Sequence, residues 1–314
     1  MQLSFLEFGN VSEVKVNAHK IIENLFEFSA ALDKMNAKRL WLGEHYGIDQ
    51  RVSWFSPRQL LPLLLANTES LVIGSGGELI NYHSPLHIAH DYILLSALFG
   101  DRVDLGMAKG TRLPAEVEDG VGYTVENWME SFHDKIEKVY SIIYEEDKRA
   151  LTMPLEGVQT PNLWFLGPRR HDYPKIIDVK GNLALSLHHD NKLIEDPRVL
   201  LDYRDQFYER HGYYPQVLVS VACYCVDSES EKNMILKRLE SSYMRNSIQV
   251  GALVDYAENI YERLVEISKI FGIDEVMIHN DSREIEEKNK VLRIFECCYN
   301  DQQKDLSENI SVAI

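Results

Sequence analysis

Hydrophobic and polar positions alternate along this chain between two periods. Eight runs rich in β-branched and aromatic residues read as strands: Leu3–Phe8, Arg39–His45, Leu71–Ser75, Arg102–Met107, Asn162–Leu166, Leu183–Leu187, Gln216–Val226 and Glu275–His279. Between most of them apolar residues recur at helical spacing. The helical segments are Val14–Met35, Pro57–Ala66, Leu86–Phe99, Val125–Tyr144, Val199–His211, Glu229–Tyr243, Tyr256–Phe271 and Ile285–Tyr299. Start signals agree with this reading, with Ser12 and Glu13 ahead of the first helix and Ser56-Pro57 at the second. Strand and helix alternating over the whole chain predict a (β/α)8 TIM barrel, with a doubly wound open sheet as the alternative.

Two connections run long, residues 111–161 and 227–273, and the first is placed to cap the mouth of the barrel. No internal repeat, linker or low-complexity segment interrupts the pattern. The expectation is one domain over residues 1–314, with the polar stretch 301–314 as a C-terminal tail, frayed or docked as an appendage.

The most informative block is residues 71–110. An apolar run breaks into Gly74, Gly76 and Gly77; a helix follows Ser84-Pro85 and stops at Gly100-Asp101; a second strand ends in Lys109-Gly110. This is a βαβ unit with parallel strands. In such folds ligands sit at the C-terminal ends of strands. Both ends here carry glycine, and the second adds a cation.

Composition narrows the function classes. Apolar content of 45% and charged content of 26% suit a soluble globular protein with a large core. A formal net charge of −16 argues against nucleic acid and anionic membranes as partners, and no stretch has the length of a membrane span. The N-terminal MQLSFLEFGN has no basic region followed by an apolar one, so it reads as a first strand rather than a signal peptide. Neither Cys223/Cys225 nor Cys297/Cys298 has the spacing of a zinc or redox motif, and free thiols in a reducing cytosol are expected.

Candidate chemistry lies at the strand ends. Alternation in the second strand puts Trp41, Gly43 and His45 on one face and Leu40, Leu42 and Glu44 on the other. The small Gly43 below His45 leaves room for a planar ligand, and imidazole exchanges a proton near neutral pH. The alternative is a structural histidine bonded to a backbone carbonyl. Gly76-Gly77 permits close approach of a flat ring, and Glu78 is either a loop carboxylate in solvent or a group near the ligand. Lys109 faces either a phosphate or solvent. Arg169 and Arg170 bind an anion or form surface ion pairs, while Asn81, Tyr82 and His83 line a pocket or solvate a turn. Trp54 and Phe55 cover a ligand or pack on the neighbouring helix. Adjacent His188 and His189 point to opposite faces of a strand, which favours a substrate-pocket role for one of them over a shared metal.

Taken together, WLGEHY at residues 41–46, the 71–110 block, LWFLG at the fifth strand and DYRDQFYERHG before the seventh resemble the bacterial luciferase-like flavin-dependent monooxygenases. The resemblance runs from the first strand to Asp274-Glu275-Val276. It implies a (β/α)8 barrel that takes reduced FMN from a separate flavin reductase and oxygenates a small organic substrate with dioxygen. On that resemblance His45 falls at the catalytic histidine position. Gly76-Gly77 falls on a third-strand bulge, often a non-prolyl cis peptide, under the isoalloxazine ring, and Lys109 falls at a basic phosphate position. Glu44, Asn81, His188 and His189 are the candidate substrate-side residues. A cytoplasmic homodimer is the family habit.

Two departures stand out. The turn after the fifth strand, residues 167–174, has no Ser or Thr, and Pro168 lacks an amide donor. Arg169 or Arg170 is the available substitute for holding the phosphate. Ala108 stands where luciferases proper carry a reactive cysteine, which argues against light emission. A deazaflavin-dependent oxidoreductase and a non-catalytic flavin-binding subunit are the competing readings.

Overall fold

The computed structural model describes the chain apart from residues 12–16, 47–53, 55, 111–114, 122–125, 146–158, 188–195, 247–250 and 313–314. The described residues form nine strands. They are β1 (Gln2–Glu7), β2 (Arg39–Leu42), β3 (Val72–Leu79), β4 (Val103–Ala108), β5 (Asn162–Leu166), β6 (Asn182–Ser186), β7 (Val217–Cys225), β8 (Ala252–Asp255) and β9 (Glu275–His279). Hydrogen bonding runs in the order β6-β5-β4-β3-β2-β1-β9-β7 and closes through β6–β7, with every pairing parallel. Eight strands therefore make a closed barrel, as the alternation predicts. The ninth, β8, was not anticipated; it lies in the 227–273 connection and extends the sheet beside Ala222–Cys225 of β7.

Helices surround the ring: α1 (Ala18–Lys34), α2 (Leu61–Asn67), α3 (Pro85–Phe99), α4 (Ala115–Val121), α5 (Trp128–Tyr144), α6 (Tyr173–Asp178), α7 (Arg198–His211), α8 (Glu229–Asn246), α9 (Ala257–Phe271), α10 (Ile285–Asn289) and α11 (Leu292–Val312). The first helix begins later than its apolar periodicity suggests. Its cap is Asn17, whose side chain accepts from His19 N at 3.0 Å, while Ser12 and Glu13 lie outside the described residues. The C-terminal stretch expected as a tail is helical as far as Val312, continuing α11.

Strand alternation divides the core. Leu6, Trp41, Trp164, Ala184, Leu218 and Met277 fill the barrel interior, while Phe5, Leu40, Leu42, Ile73 and Leu105 face the helices. Below Trp41, at the N-terminal end of the strands, Arg39 closes the barrel. Its Nε and one terminal nitrogen donate to Glu275 at 2.6 and 2.8 Å, and the other donates to Asp104 at 2.6 Å. Trp41 Nε1 also donates to Asp104, at 2.9 Å, and Asn162 donates to it at 3.2 Å. Burial opposes the charge on Arg39, but Asp104 and Glu275 outweigh it and push its pKa up.

Candidate active site

The opposite rim is built by the ends of β2, β3, β4 and β5. In β3, Ser75 pairs with Leu105 but Glu78 pairs with Met107, so one extra residue bulges out at Gly76-Gly77. The peptide bond between these two glycines is cis, as the resemblance implies. Neither position has room for a side chain. A Cβ at Gly76 would lie 2.7 Å from Leu6 Cδ1 and 2.8 Å from Trp41 Cβ, and one at Gly77 would lie 2.9 Å from the Gly106 carbonyl oxygen. The bulge is thus bare backbone lying directly on the apolar layer that fills the barrel.

The extra residue also changes which way the strand faces. Gly74 pairs with the inward Asp104, whereas Glu78 pairs with Met107, which belongs to the outer core. Glu78 consequently points away from the mouth and is fully buried against α3. Of the two positions the sequence suggests for it, the one in solvent is not the one it takes. Tyr92 Oη donates to its Oε1 at 2.9 Å. Its Oε2 lies 3.4 Å from Arg58 Nε, an ion-pair distance rather than a good hydrogen bond.

Glu44 joins this outer cluster. Its Oε2 accepts from Leu79 N at 2.7 Å, and its two oxygens lie 2.8 and 2.9 Å from His83 Nε2. Arg58 stands 2.9 Å from His83 Nδ1. A guanidinium only donates, so Nδ1 is the bare nitrogen and Nε2 carries the proton given to Glu44. Burial first, and then the Glu44 charge, raise the Glu78 pKa to about 7 against the opposing pull of Arg58 and the Tyr92 hydrogen bond. Burial and the same Glu44 carboxylate push the Tyr46 phenol up. Glu44, Glu78 and His83 present ligand atoms within 4.8 Å of one another, the spacing of a metal site. The Arg58 guanidinium already stands among them as the cation.

His45 follows Glu44 at the mouth. It is half-buried, edge-on to Phe8 with ring centroids 5.0 Å apart, and His279 approaches the same Phe8 ring at 6.2 Å. The room expected beside Gly43 is taken by Phe8, whose ring edge would collide with a Gly43 Cβ. Trp54 is packed in the core, donating to the Gly43 carbonyl at 3.1 Å. Phe55 lies outside the described residues, as do His188 and His189.

On the other side of the bulge, β4 delivers Lys109 to the turn after β5. Lys109 Nζ lies 3.4 Å from Asp172 Oδ2 and 3.1 Å from Met129 Sδ. The fully buried Asp172 carboxylate also accepts from Arg169 N at 2.9 Å and meets His133 Nε2 at 2.9 Å. Burial alone would raise its pKa, but the Arg169 amide, His133 and Lys109 together hold it below the usual carboxylate range. The Arg169 side chain is exposed, and Arg170 pairs with Asp196 at 3.0 Å on the surface. Asn81 is buried and ties the rim to α5, donating to Trp128 O at 3.2 Å while its carbonyl accepts from Lys135 at 2.6 Å.

The structure therefore gathers His45, Gly76, Gly77 and Lys109 along one rim and places Glu44 and Asn81 in packed surroundings behind it. Arg58, Tyr92, His133 and Asp172 were missed by sequence reasoning. A parallel eight-stranded barrel with ionisable groups collected at the C-terminal strand ends has the organisation of a barrel enzyme.

The chain belongs to the luciferase-like monooxygenase family, whose model matches residues 4–269, and is an oxidoreductase of that family. YwcH, an uncharacterised protein of Bacillus subtilis strain 168, is 21% identical over an alignment covering 96% of this chain and 100% of YwcH. Apo-MsnO8 superposes with a TM-score of 0.76 at 18% identity, over 94% of this chain and 98% of that one. The oxygenating constituent of 3,6-diketocamphane monooxygenase from Pseudomonas putida, solved with FMN, gives 0.71 at 11% identity, over 94% and 96%. These two structures share the fold.

Proposed function

We propose that this protein is an FMN-dependent monooxygenase that receives reduced flavin from a separate flavin reductase and oxygenates a small organic substrate. The carrying observation is the Gly76-Gly77 bulge, bare backbone lying on Leu6 and Trp41 where any Cβ would collide. Such a surface accepts a flat ring system at close range. His45 stands at one side of it and Lys109 at the other, matching the acid/base and phosphate positions that the family resemblance implies. The complex of a structural neighbour with FMN supports the same cofactor.

In this reading the bulge carries the ring, and Lys109 with Arg169 attracts the phosphate. Reduced flavin, when bound, supplies the electrons that activate dioxygen. The His45 imidazole takes and returns the proton that oxygen transfer requires. Phe8 holds that imidazole from its edge, and the apolar layer beneath keeps water out of the barrel. His188 and His189 belong to the substrate side.

Exposed Leu63, Leu86, Leu94 and Leu98 on α2 and α3 support a homodimer. The described residues contain no helix long and apolar enough to cross a membrane, which accords with a cytoplasmic enzyme.

Titration of the purified protein with oxidised and reduced FMN tests the cofactor; binding of neither overturns the proposal. His45→Ala is expected to lower oxygenation about 10²–10⁴-fold while flavin affinity changes little. Unchanged turnover would remove His45 from its role.

A further inference from the structure

The turn after β5 contains an anion of its own. Asp172 is fully buried, and three donors from three parts of the chain converge on its carboxylate: Lys109 Nζ at 3.4 Å from the end of β4, His133 Nε2 at 2.9 Å from α5, and the Arg169 amide at 2.9 Å. His171 Nε2 approaches at 3.6 Å. These are the groups that a phosphate arriving at this rim would seek, and a carboxylate already holds them. A dianion here gains less from Lys109 than its charge suggests, because it also meets the charge of Asp172.

We propose that Asp172 is a built-in counter-anion that sets cofactor specificity, making this enzyme hold flavin chiefly by its ring and discriminate weakly between FMN and riboflavin. The inference rests on the flavin reading above and concerns how the phosphate end is treated. Asp172 acts through Lys109 and His133, so its effect appears in the difference between two ligands that share a ring and differ in the phosphate. A flavin held in this way exchanges readily with solution, which suits a protein whose reductant is made elsewhere.

The test is a binding cycle with oxidised FMN and riboflavin, read by flavin fluorescence, on the wild type and on Asp172→Asn, Lys109→Met and the double variant. Asparagine keeps an oxygen for the Arg169 amide, removes the charge and turns an NH2 donor toward His133 Nε2, whose ring can accept from it as the neutral tautomer. The wild type is expected to bind the two flavins within about tenfold of each other. Asp172→Asn should tighten FMN by about tenfold and leave riboflavin unchanged. Lys109→Met should weaken FMN by less than about threefold in the wild type and by more than about tenfold beside Asp172→Asn.

A wild type that already prefers FMN by about a hundredfold, with a preference indifferent to Asp172→Asn, overturns the inference and leaves the flavin reading standing. Equal weakening of both flavins by Asp172→Asn also overturns it, reducing Asp172 to a turn-stabilising residue. Failure of every form to bind either flavin overturns the flavin reading itself.

Discussion

Each end of the barrel holds an arginine among acids, and the two arrangements end in different states. At the N-terminal end all three Arg39 nitrogens are engaged, and its acids draw on further donors. Asp104 receives Trp41 and Asn162, and Glu275 receives Ser4 at 2.5 Å. At the C-terminal end Arg58 is divided between Asp91 at 2.9 Å, His83 at 2.9 Å and Glu78 at 3.4 Å. Glu44 stands beside them with His83 as its donor, so one guanidinium is the cation among three carboxylates, and Glu78 retains a proton to about pH 7. Donors matched to acceptors make a fixed closure; a shortage of donors makes a group that titrates. The fixed end is a matter of stability, and the adjustable end adjoins the chemistry.

The largest expected effect tests the fixed end. Arg39→Met leaves Asp104 and Glu275 buried without their cation, and should cost about 3–5 kcal/mol of unfolding free energy. Denaturant unfolding measures this, and a loss under about 1 kcal/mol would dissolve the contrast between the two ends. At the other end Glu44→Ala deprives Leu79 N and His83 Nε2 of their acceptor, at a cost of about 1–3 kcal/mol. Removing that charge also lowers the Glu78 pKa. An unchanged titration in Glu44→Ala would show that burial alone governs Glu78.

The smallest effect is a slope. Folding raises the Glu78 pKa from 4.5 to about 7, so the folded protein keeps a proton that the unfolded chain releases between those values. This contribution to stability is fully present below about pH 4.5 and is lost as pH rises through about 7. Glu78→Gln should gain on the wild type over that window and hold a constant difference above it. A pH-independent difference in unfolding free energy would count against the shifted carboxyl.

Much of the architecture was legible because buried parallel strands are continuous apolar runs bounded by turn signals. All eight barrel strands could be placed that way. Ala252–Asp255 escaped because four residues between two helices give too short a pattern, and the six residues of α6 are likewise too few. The rim was only partly legible. His45 was legible because it comes three residues after β2 ends, at the rim where chemistry gathers, whereas the orientation of Glu78 depends on a one-residue bulge that alternation cannot count. The gathering at Asp172 had no local signal, because the His133 and Lys109 side chains reach it from 39 and 63 residues away in sequence.

The Arg39 closure makes the barrel a vessel with a single opening. Trp41 and Trp164 lie fully buried above that floor, so the C-terminal strand ends are where a ligand meets the barrel. On the proposed reading, a flavin on Gly76-Gly77 and its substrate would share one doorway, each passing the same rim.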